Sequence, residues 1–242
     1  MAAKHILAAG ALSMIASLTQ AFTLDKQWRE HLNESGMILA SRPFTGHGQP
    51  EFFATLPLEG PPHAMLSLLL DINRVSEWAY HADGSTVITH PTPDAWRVHS
   101  RFSPPWPIRD RDVFSHSVHW QNVQGIWLEI KSIPDEFPPQ PGYVRIRDMQ
   151  NCWHARANID GTATLYHLGH VRDPGLLPNF VINPAQASAL KTTLKNMAKV
   201  LPSYRQKVTE IGLSQPPHNW HYCQRLARIL DLNEHTKRDQ PE

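Results

Sequence analysis

Apolar and polar residues alternate with a period of two through the middle of the chain, from residue 85 to residue 171. Such a period is typical of strands that bury one face. The pattern predicts strands at residues 85–90, 95–102, 111–120, 126–131, 143–147, 152–157 and 163–171. Residues 95–102 show it most clearly, because one face is apolar and the other is basic: Trp96, Val98 and Phe102 against Arg97, His99 and Arg101. Consecutive strands of this kind favour one antiparallel sheet.

The residues before this region predict short elements of both kinds. Leu24, Trp28 and Leu32 have four-residue spacing, which predicts a short amphipathic helix over residues 24–35. The other elements expected before residue 85 are strands at 37–41 and 51–58, a buried helix that follows the proline pair 61–62, and a turn at 74–80.

A long helix is predicted near the C-terminal end. Asn183 is expected to cap it, and Pro184 to occupy its first position, where a missing N–H costs nothing. Pro202 predicts a kink near residues 200–203. The apolar positions of the helix are spaced by three or four and form one stripe, which consists of Leu190, Leu194, Met197, Leu201, Tyr204, Val208 and Ile211.

This order of elements predicts an α+β fold in which a curved antiparallel sheet wraps around one long helix. The apolar face of the sheet and the apolar stripe of the helix would bury each other. Residues 22–211 are expected to form one domain. Residues 212–242 are expected to form a C-terminal extension, with a helix at 219–232 and a polar tail.

Composition and the first residues of the chain indicate the class of protein and its cellular location. The 242 residues are 41% hydrophobic and 19% charged, with a net charge of +1, so no excess of positive charge favours nucleic-acid binding. Lys4, the apolar run 6–18 and the small residues that end at Ala21 predict a signal peptide at residues 1–21. The alternative is a membrane anchor, but the run is shorter than the ~20 residues of a membrane span. The mature chain is therefore expected to be secreted or periplasmic.

Two cysteines, Cys152 and Cys223, could form a disulfide in an oxidising compartment. Their positions in the sequence leave open whether they pair or stay as two free thiols.

Other chemistry has weak support in the sequence. The chain has no G-x-S-x-G segment, no H-E-x-x-H segment and no glycine-rich phosphate loop. His218 and His221, near Cys223, have the spacing of metal ligands, although a histidine-rich surface is favoured. His116 and His119 have the same spacing on a predicted strand, where a three-residue step places them on opposite faces. No metal and no cofactor are expected.

Two segments resemble the StAR-related lipid-transfer (START) family, in the form of a bacterial-type secreted member. One is P-P-W-P-I-R-D-R-D-V at 104–113, and the other is D-P-G-L-L-P-N-F-V-I-N at 173–183. The Val144-Arg145 step also resembles the family. This resemblance implies a helix-grip fold, in which a hydrophobic tunnel between the sheet and the C-terminal helix holds one lipid. It also implies a gate formed by the loop 103–110 and that helix.

The resemblance implies roles for particular residues. Lipid contact in the tunnel and lid is expected from Trp96, Val98, Phe102, Trp106, Leu190, Leu194, Met197 and Leu201. Trp106 would lie at the tunnel mouth, the alternative being that it packs on the sheet edge. Polar ligand contacts could come from His99, Arg101 and His116, because Ser117 stands where several family members have an arginine. Structural roles are expected of Arg111, Asp112, Asp173 and Asn183.

The resulting hypothesis is non-covalent binding of one lipid, with transfer or sensing as its purpose and no catalytic residue. The alternatives are an enzyme of a related helix-grip family, of the cyclase or hydrolase type, and a protein-interaction role. Expected partners are a lipid or another hydrophobic small molecule and, transiently, a membrane. Nucleic acid is not an expected partner, and the chain is expected to be a monomer.

Overall fold

The computed structural model describes residues 24–46, 48–172 and 178–238. The expected signal peptide at 1–21 and the motif residue Asp173 lie outside the described residues.

One sheet dominates the structure and confirms the predicted α+β class. Its order is β1-β2-β3-β10-β9-β7-β6-β5-β4, with antiparallel neighbours throughout, and β8 pairs in parallel with β6 at the sheet's margin. The strands are β1 Arg29–Glu34, β2 Met37–Arg42, β3 Glu51–Leu58, β4 Ala82–Thr92, β5 Ala95–Phe102, β6 Arg111–Asn122, β7 Gly125–Ser132, β8 Val144–Arg145, β9 Asp148–Ala157 and β10 Ala163–Arg172.

Three α-helices accompany the sheet: α1 His63–Leu70, α2 Asn179–Val200 and α3 Cys223–Arg238. Short 3₁₀ segments follow α1, at Ile72–Glu77, and α2, at Leu201–Tyr204. No helix in the described ranges combines the length and the apolar composition that crossing a membrane requires.

The two faces of the sheet carry separate cores. On the inner face, α1 and α2 pack against side chains such as Leu56, Leu128 and Leu165. On the outer face, Trp220, Tyr222 and α3 of the C-terminal extension cover a second apolar cluster. Alternation along each strand supplies both cores, because neighbouring residues point to opposite faces.

The expected helix at 24–35 is wrong, because this segment contains strand β1. Ser35 and Gly36 have positive φ angles of 51° and 77°, so they form a two-residue turn that pairs β1 with β2. Trp28 instead packs its ring against Phe53 at 5.7 Å between centroids. Pairing with β2 therefore overrides the local helical spacing.

The long helix begins earlier and ends earlier than predicted. It starts at Asn179 after an extended Pro178, so Asn183 does not cap it and Pro184 lies inside it. It ends at Val200, where the 3₁₀ turn containing Pro202 replaces the expected kink. Val208 is 76% exposed and belongs to no helix, so the predicted stripe does not extend to residue 211.

The bounds of two other elements also differ from the prediction. The strand predicted at 143–147 is reduced to the two residues of β8, and the last helix begins at Cys223, four residues after the expected start.

Candidate functional site

A cavity of about 560 Å³ lies between the inner face of the sheet and α2. This volume is within the range of ~300–1,000 Å³ that small-molecule sites occupy. Apolar side chains make up most of its wall, contributed by the sheet, the segment after α1 and α2; among them are Leu69, Val75, Trp78, Trp96, Val98, Phe102, Ile108, Val113, Leu128, Ile130, Ile146, Met149, Trp153, Ile182 and Leu190.

The cavity meets the surface at one side. Three of its lining residues are also exposed to solvent: His81 before β4, Pro105 in the loop after β5, and Ser188 on α2. Two hydrogen bonds connect the three segments. The backbone N–H of Ser103 donates to the His81 carbonyl (2.9 Å), and that of Tyr80 donates to Thr193 Oγ1 on α2 (3.0 Å).

A polar pair interrupts the apolar floor of the cavity. Asn151 on β9 and His167 on β10 both line it, and His167 Nε2 lies 3.0 Å from Asn151 Oδ1. His167 is 3% exposed, and its burial lowers the pKa of the imidazole to about 3, so the ring is neutral near pH 7. The pair fits because Gly169 lies beside it: a Cβ at residue 169 would lie 2.2 Å from Asn151 Oδ1.

Strand β6 supplies further polar groups to the wall. Ser115 and Ser117 line the cavity, and their hydroxyls face carbonyls of β5 at 3.4 Å. Arg111 lines it at the end of β6 nearest the loop, where its guanidinium donates to the Arg109 carbonyl at 2.5 Å.

The predicted tunnel residues divide into three groups. Trp96, Val98, Phe102 and Leu190 line the cavity. Leu194, Met197 and Leu201 do not line it; they are buried in the inner core. Trp106 is 92% exposed, so it neither lines the cavity nor packs on the sheet edge.

The three expected polar contacts lie on the wrong side of the sheet. His99 stacks on Phe114 at 4.1 Å, and His116 meets the edge of Trp220 at 5.1 Å, both on the outer face. Arg101 is exposed and also absent from the wall of the cavity. Sequence reasoning missed Asn151 and His167, although the alternation along β9 and β10 places both on the inner face.

Asp112, for which a structural role is predicted, lies in a buried ion pair on the outer face of the sheet. It is fully buried, and Arg145 on β8 donates to both of its carboxylate oxygens at 2.9–3.0 Å. His99 Nε2 lies 3.1 Å from the same carboxylate. Arg145 also donates to the carbonyls of Pro134, Phe137 and Pro138, so the ion pair fixes the long connection between β7 and β8.

The C-terminal extension is anchored to the outer face of the sheet. A disulfide joins Cys152 on β9 to Cys223 at the start of α3, with 5.1 Å between their Cα atoms. Glu129 is buried beside it and accepts a hydrogen bond from the Cys223 backbone at 2.8 Å. Glu51, also fully buried, accepts bonds from Tyr222 and Arg225 of the extension.

The histidine pair considered for metal binding has no third ligand. The rings of His218 and His221 are 6.2 Å apart and exposed, and the sulfur of Cys223 is taken by the disulfide. Across the ranges that the structure describes, no three His, Cys, Asp or Glu side chains are grouped as metal ligands would be.

Solved structures with the same architecture include a STAR-related lipid transfer protein from Xanthomonas axonopodis. It superposes with a TM-score of 0.67 and 21% identity, over 73% of this chain and 99% of that one. Human STARD10 superposes with a TM-score of 0.64 and 17% identity, over 76% of this chain and 78% of that one. Human StAR-related lipid transfer protein 5 superposes with a TM-score of 0.63 and 16% identity, over 75% of this chain and 89% of that one. No protein-family model matches the chain. The comparison with curated proteins gives no match either. The superpositions on these solved structures show that the chain has the START helix-grip fold.

Proposed function

We propose that this protein binds one lipid or similar hydrophobic molecule, without covalent chemistry, in the cavity between the sheet and α2. The apolar wall of that cavity is the observation that carries the proposal. Moving an acyl chain from water into such a wall gains about 0.8 kcal/mol per CH₂. The names of the similar structures, which are lipid transfer proteins, support the same function.

The mouth of the cavity supports a gate formed by the loop 103–110 and α2. A ligand that enters past His81, Pro105 and Ser188 must pass between these two segments. The bonds Ser103–His81 and Tyr80–Thr193 connect them when closed. Loop and helix movements of this kind commonly control access to a buried site. Transfer of the lipid between membranes then requires the loop to open at a membrane surface.

A secreted or periplasmic location is part of the proposal. The Cys152–Cys223 disulfide supports it, because disulfides persist in oxidising compartments. The N-terminal sequence supports it through its resemblance to a signal peptide. Mass measurement of the chain recovered from the cell exterior or periplasm should show cleavage after Ala21.

Native mass spectrometry of the mature chain, with extraction and identification of any bound lipid, tests the binding function. One lipid per chain is expected, either co-purified or taken up from liposomes. Ala189→Trp should abolish uptake, because Ala189 lines the cavity and an indole would fill part of it. Lys199→Trp on the exposed side of α2 is the matched control and should still bind. A folded wild-type chain that stays empty under both conditions would refute the function.

A further inference from the structure

The floor of the cavity presents an amide N–H to a ligand. Asn151 lies on the inner face of β9, between Ile130 on β7 and Gly169 on β10. It is half-buried and lines the cavity. Its Oδ1 lies 3.0 Å from His167 Nε2, while its Nδ2 makes no hydrogen bond with the residues that the structure describes. The free N–H of this amide is therefore available to a ligand.

His167 determines which end of the Asn151 amide is left for the ligand. Its Nδ1 is sealed within the protein and has no hydrogen-bond partner in the described ranges. A buried N–H without an acceptor is costly and rare, so the proton of the neutral ring is on Nε2 instead. There it donates to Asn151 Oδ1. Because the amide oxygen is used in this way, the NH₂ end is the one that faces the ligand.

The neighbouring polar side chains add no further contact at this position. Ser117 lies in the same row of the sheet, because it pairs with Ile130 and Ile130 pairs with Asn151. Adjacent strands are ~4.8 Å apart, so Ser117 is roughly 10 Å from Asn151. Gln186 on α2 uses its amide N–H groups within the protein, and its oxygen is sealed. A ligand group at Asn151 therefore meets, among the described side chains, one donor that has no partner.

This arrangement favours a carbonyl oxygen over a hydroxyl or a carboxylate. A carbonyl oxygen needs only a donor, which Asn151 supplies. A hydroxyl brings its own hydrogen, which would need an acceptor as well. A buried carboxylate needs a cation or several donors. Arg111 also lines the cavity, but it is six residues along β6 from Ser117. At ~3.4 Å per residue, that separation along the strand is roughly 20 Å.

We propose that Asn151 determines ligand specificity by donating its amide N–H to the carbonyl oxygen of an uncharged lipid, such as a ketone or an ester, whose apolar remainder fills the cavity. This inference rests on the proposed lipid-binding function and narrows its ligand class. His167 is a positioning residue that holds the amide in the required orientation. Gly169 leaves room for the amide, since a Cβ at that residue would lie 2.2 Å from Asn151 Oδ1.

Three probes with the same chain separate the ligand groups: pentadecan-2-one, its methylene isostere 2-methylpentadec-1-ene, and pentadecan-2-ol, each delivered from cyclodextrin. Binding is measured through tryptophan fluorescence, since Trp96 and Trp153 line the cavity. The ratio of ketone affinity to alkene affinity should be about tenfold lower for Asn151→Leu than for the wild type, and this change corresponds to about 1.4 kcal/mol, the size of one hydrogen bond. Using the same two probes on both proteins cancels their different hydration.

The alkene shows whether Asn151→Leu is folded, because its affinity should not change. Ser117→Ala is the matched control, in the same row of the sheet and also in the cavity wall, and it should keep the wild-type ratio. A ratio that survives Asn151→Leu would overturn the subsite alone. A loss confined to the alcohol would do the same, because the amide would then present its oxygen. Failure of all three probes to bind the wild type would overturn both the subsite and the lipid-binding function.

Infrared spectroscopy of the wild-type complex tests the contact without relying on Asn151→Leu. The C=O stretching band of bound pentadecan-2-one is isolated as the difference between the unlabelled and the carbonyl carbon-13 forms. It should lie at a lower frequency than in hexane, because an accepted hydrogen bond weakens the C=O bond. His167→Phe should keep alkene binding but broaden this band, because the Asn151 amide is then free to rotate. A wild-type band at the hexane frequency would overturn the subsite, and an unchanged band in His167→Phe would overturn the positioning role.

Discussion

Asp112 and Arg145, thirty-three residues apart, form a two-pronged ion pair on the outer side of the sheet, with Nε–Oδ1 and Nη2–Oδ2 distances of 2.9 Å. The carboxylate is fully buried, and the guanidinium is almost fully buried. Arg145 lies over the ring of Phe114 at 4.5 Å, and its remaining N–H groups bind carbonyls of the 134–138 segment. The pair thus joins the strand that follows the cavity loop to the connection between β7 and β8.

Asp112→Ala should lower the free energy of unfolding by about 3–5 kcal/mol, because Arg145 would remain buried without its counter-charge. Urea unfolding measures the change. The control is Asp135→Ala, which removes the exposed ion pair with Arg147 on the neighbouring segment and should cost less than about 1 kcal/mol. Similar losses for the two variants would show that burial of the Asp112 pair has little energetic effect.

Stability should fall in mild acid because of His154. This side chain is buried on the outer face and stacks on Trp127 at 3.6 Å, and its burial lowers the pKa of the imidazole from 6.5 to about 4. Below pH 6.5 His154 becomes protonated in the unfolded chain, whereas in the folded chain it becomes protonated only near pH 4. The free energy of unfolding therefore decreases across this window by about 1.4 kcal/mol per pH unit for this residue.

His154→Phe keeps a stacking ring and removes the titration. Between pH 6 and pH 4.5 its free energy of unfolding should fall less steeply than that of the wild type. The difference in slope should be about 1.4 kcal/mol per pH unit, which corresponds to one proton. His218→Phe changes an exposed ring and should follow the wild-type curve. Parallel curves for wild type and His154→Phe would contradict the prediction.

Thr193 should control the rate of ligand exchange. Its Oγ1 accepts the Tyr80 N–H at 3.0 Å and so holds α2 to the segment beside the cavity mouth. Thr193→Val preserves the side-chain shape but removes the acceptor. A lost hydrogen bond of about 1 kcal/mol should speed lipid exchange about fivefold in stopped-flow measurements. Thr192→Val removes a hydroxyl that, among the described residues, bonds to the Ser188 carbonyl within α2, and it should leave the rate unchanged. A slower or unchanged rate for Thr193→Val would argue against the gate.

The sheet was predictable from sequence because its period-two pattern is strong. The strand Ala95–Phe102 has the predicted bounds, and Trp96, Val98 and Phe102 share the cavity side. The same alternation already placed His99 and Arg101 on the opposite face. Proposing them as ligand contacts gave more weight to their polarity than to the direction of their side chains.

Elements that depend on distant contacts were harder to predict. Leu24, Trp28 and Leu32 fit a helical period, but the Ser35-Gly36 turn and pairing with β2 decide for a strand. In α2, the stripe through Leu194 and Met197 correctly marked a buried face. Sequence periodicity could not show that this face packs into the inner core, whereas positions 182, 185, 189 and 190 face the cavity. That distinction depends on how the helix is rotated above the sheet.

Trp106 gives a test of membrane contact that is separate from ligand binding. At 92% exposure it contributes little to the folded core, yet it lies between Pro105 and Ile108, two loop residues that line the cavity. Tryptophan is favoured at the membrane interface. Trp106→Ala should therefore change the free energy of unfolding by no more than about 0.5 kcal/mol, while it slows lipid transfer between vesicles and weakens co-sedimentation with them. Val123→Ala removes an equally exposed apolar side chain in the turn between β6 and β7, away from the cavity, and should alter neither. If both variants transfer lipid at the wild-type rate, the loop does not make the membrane contact that transfer requires.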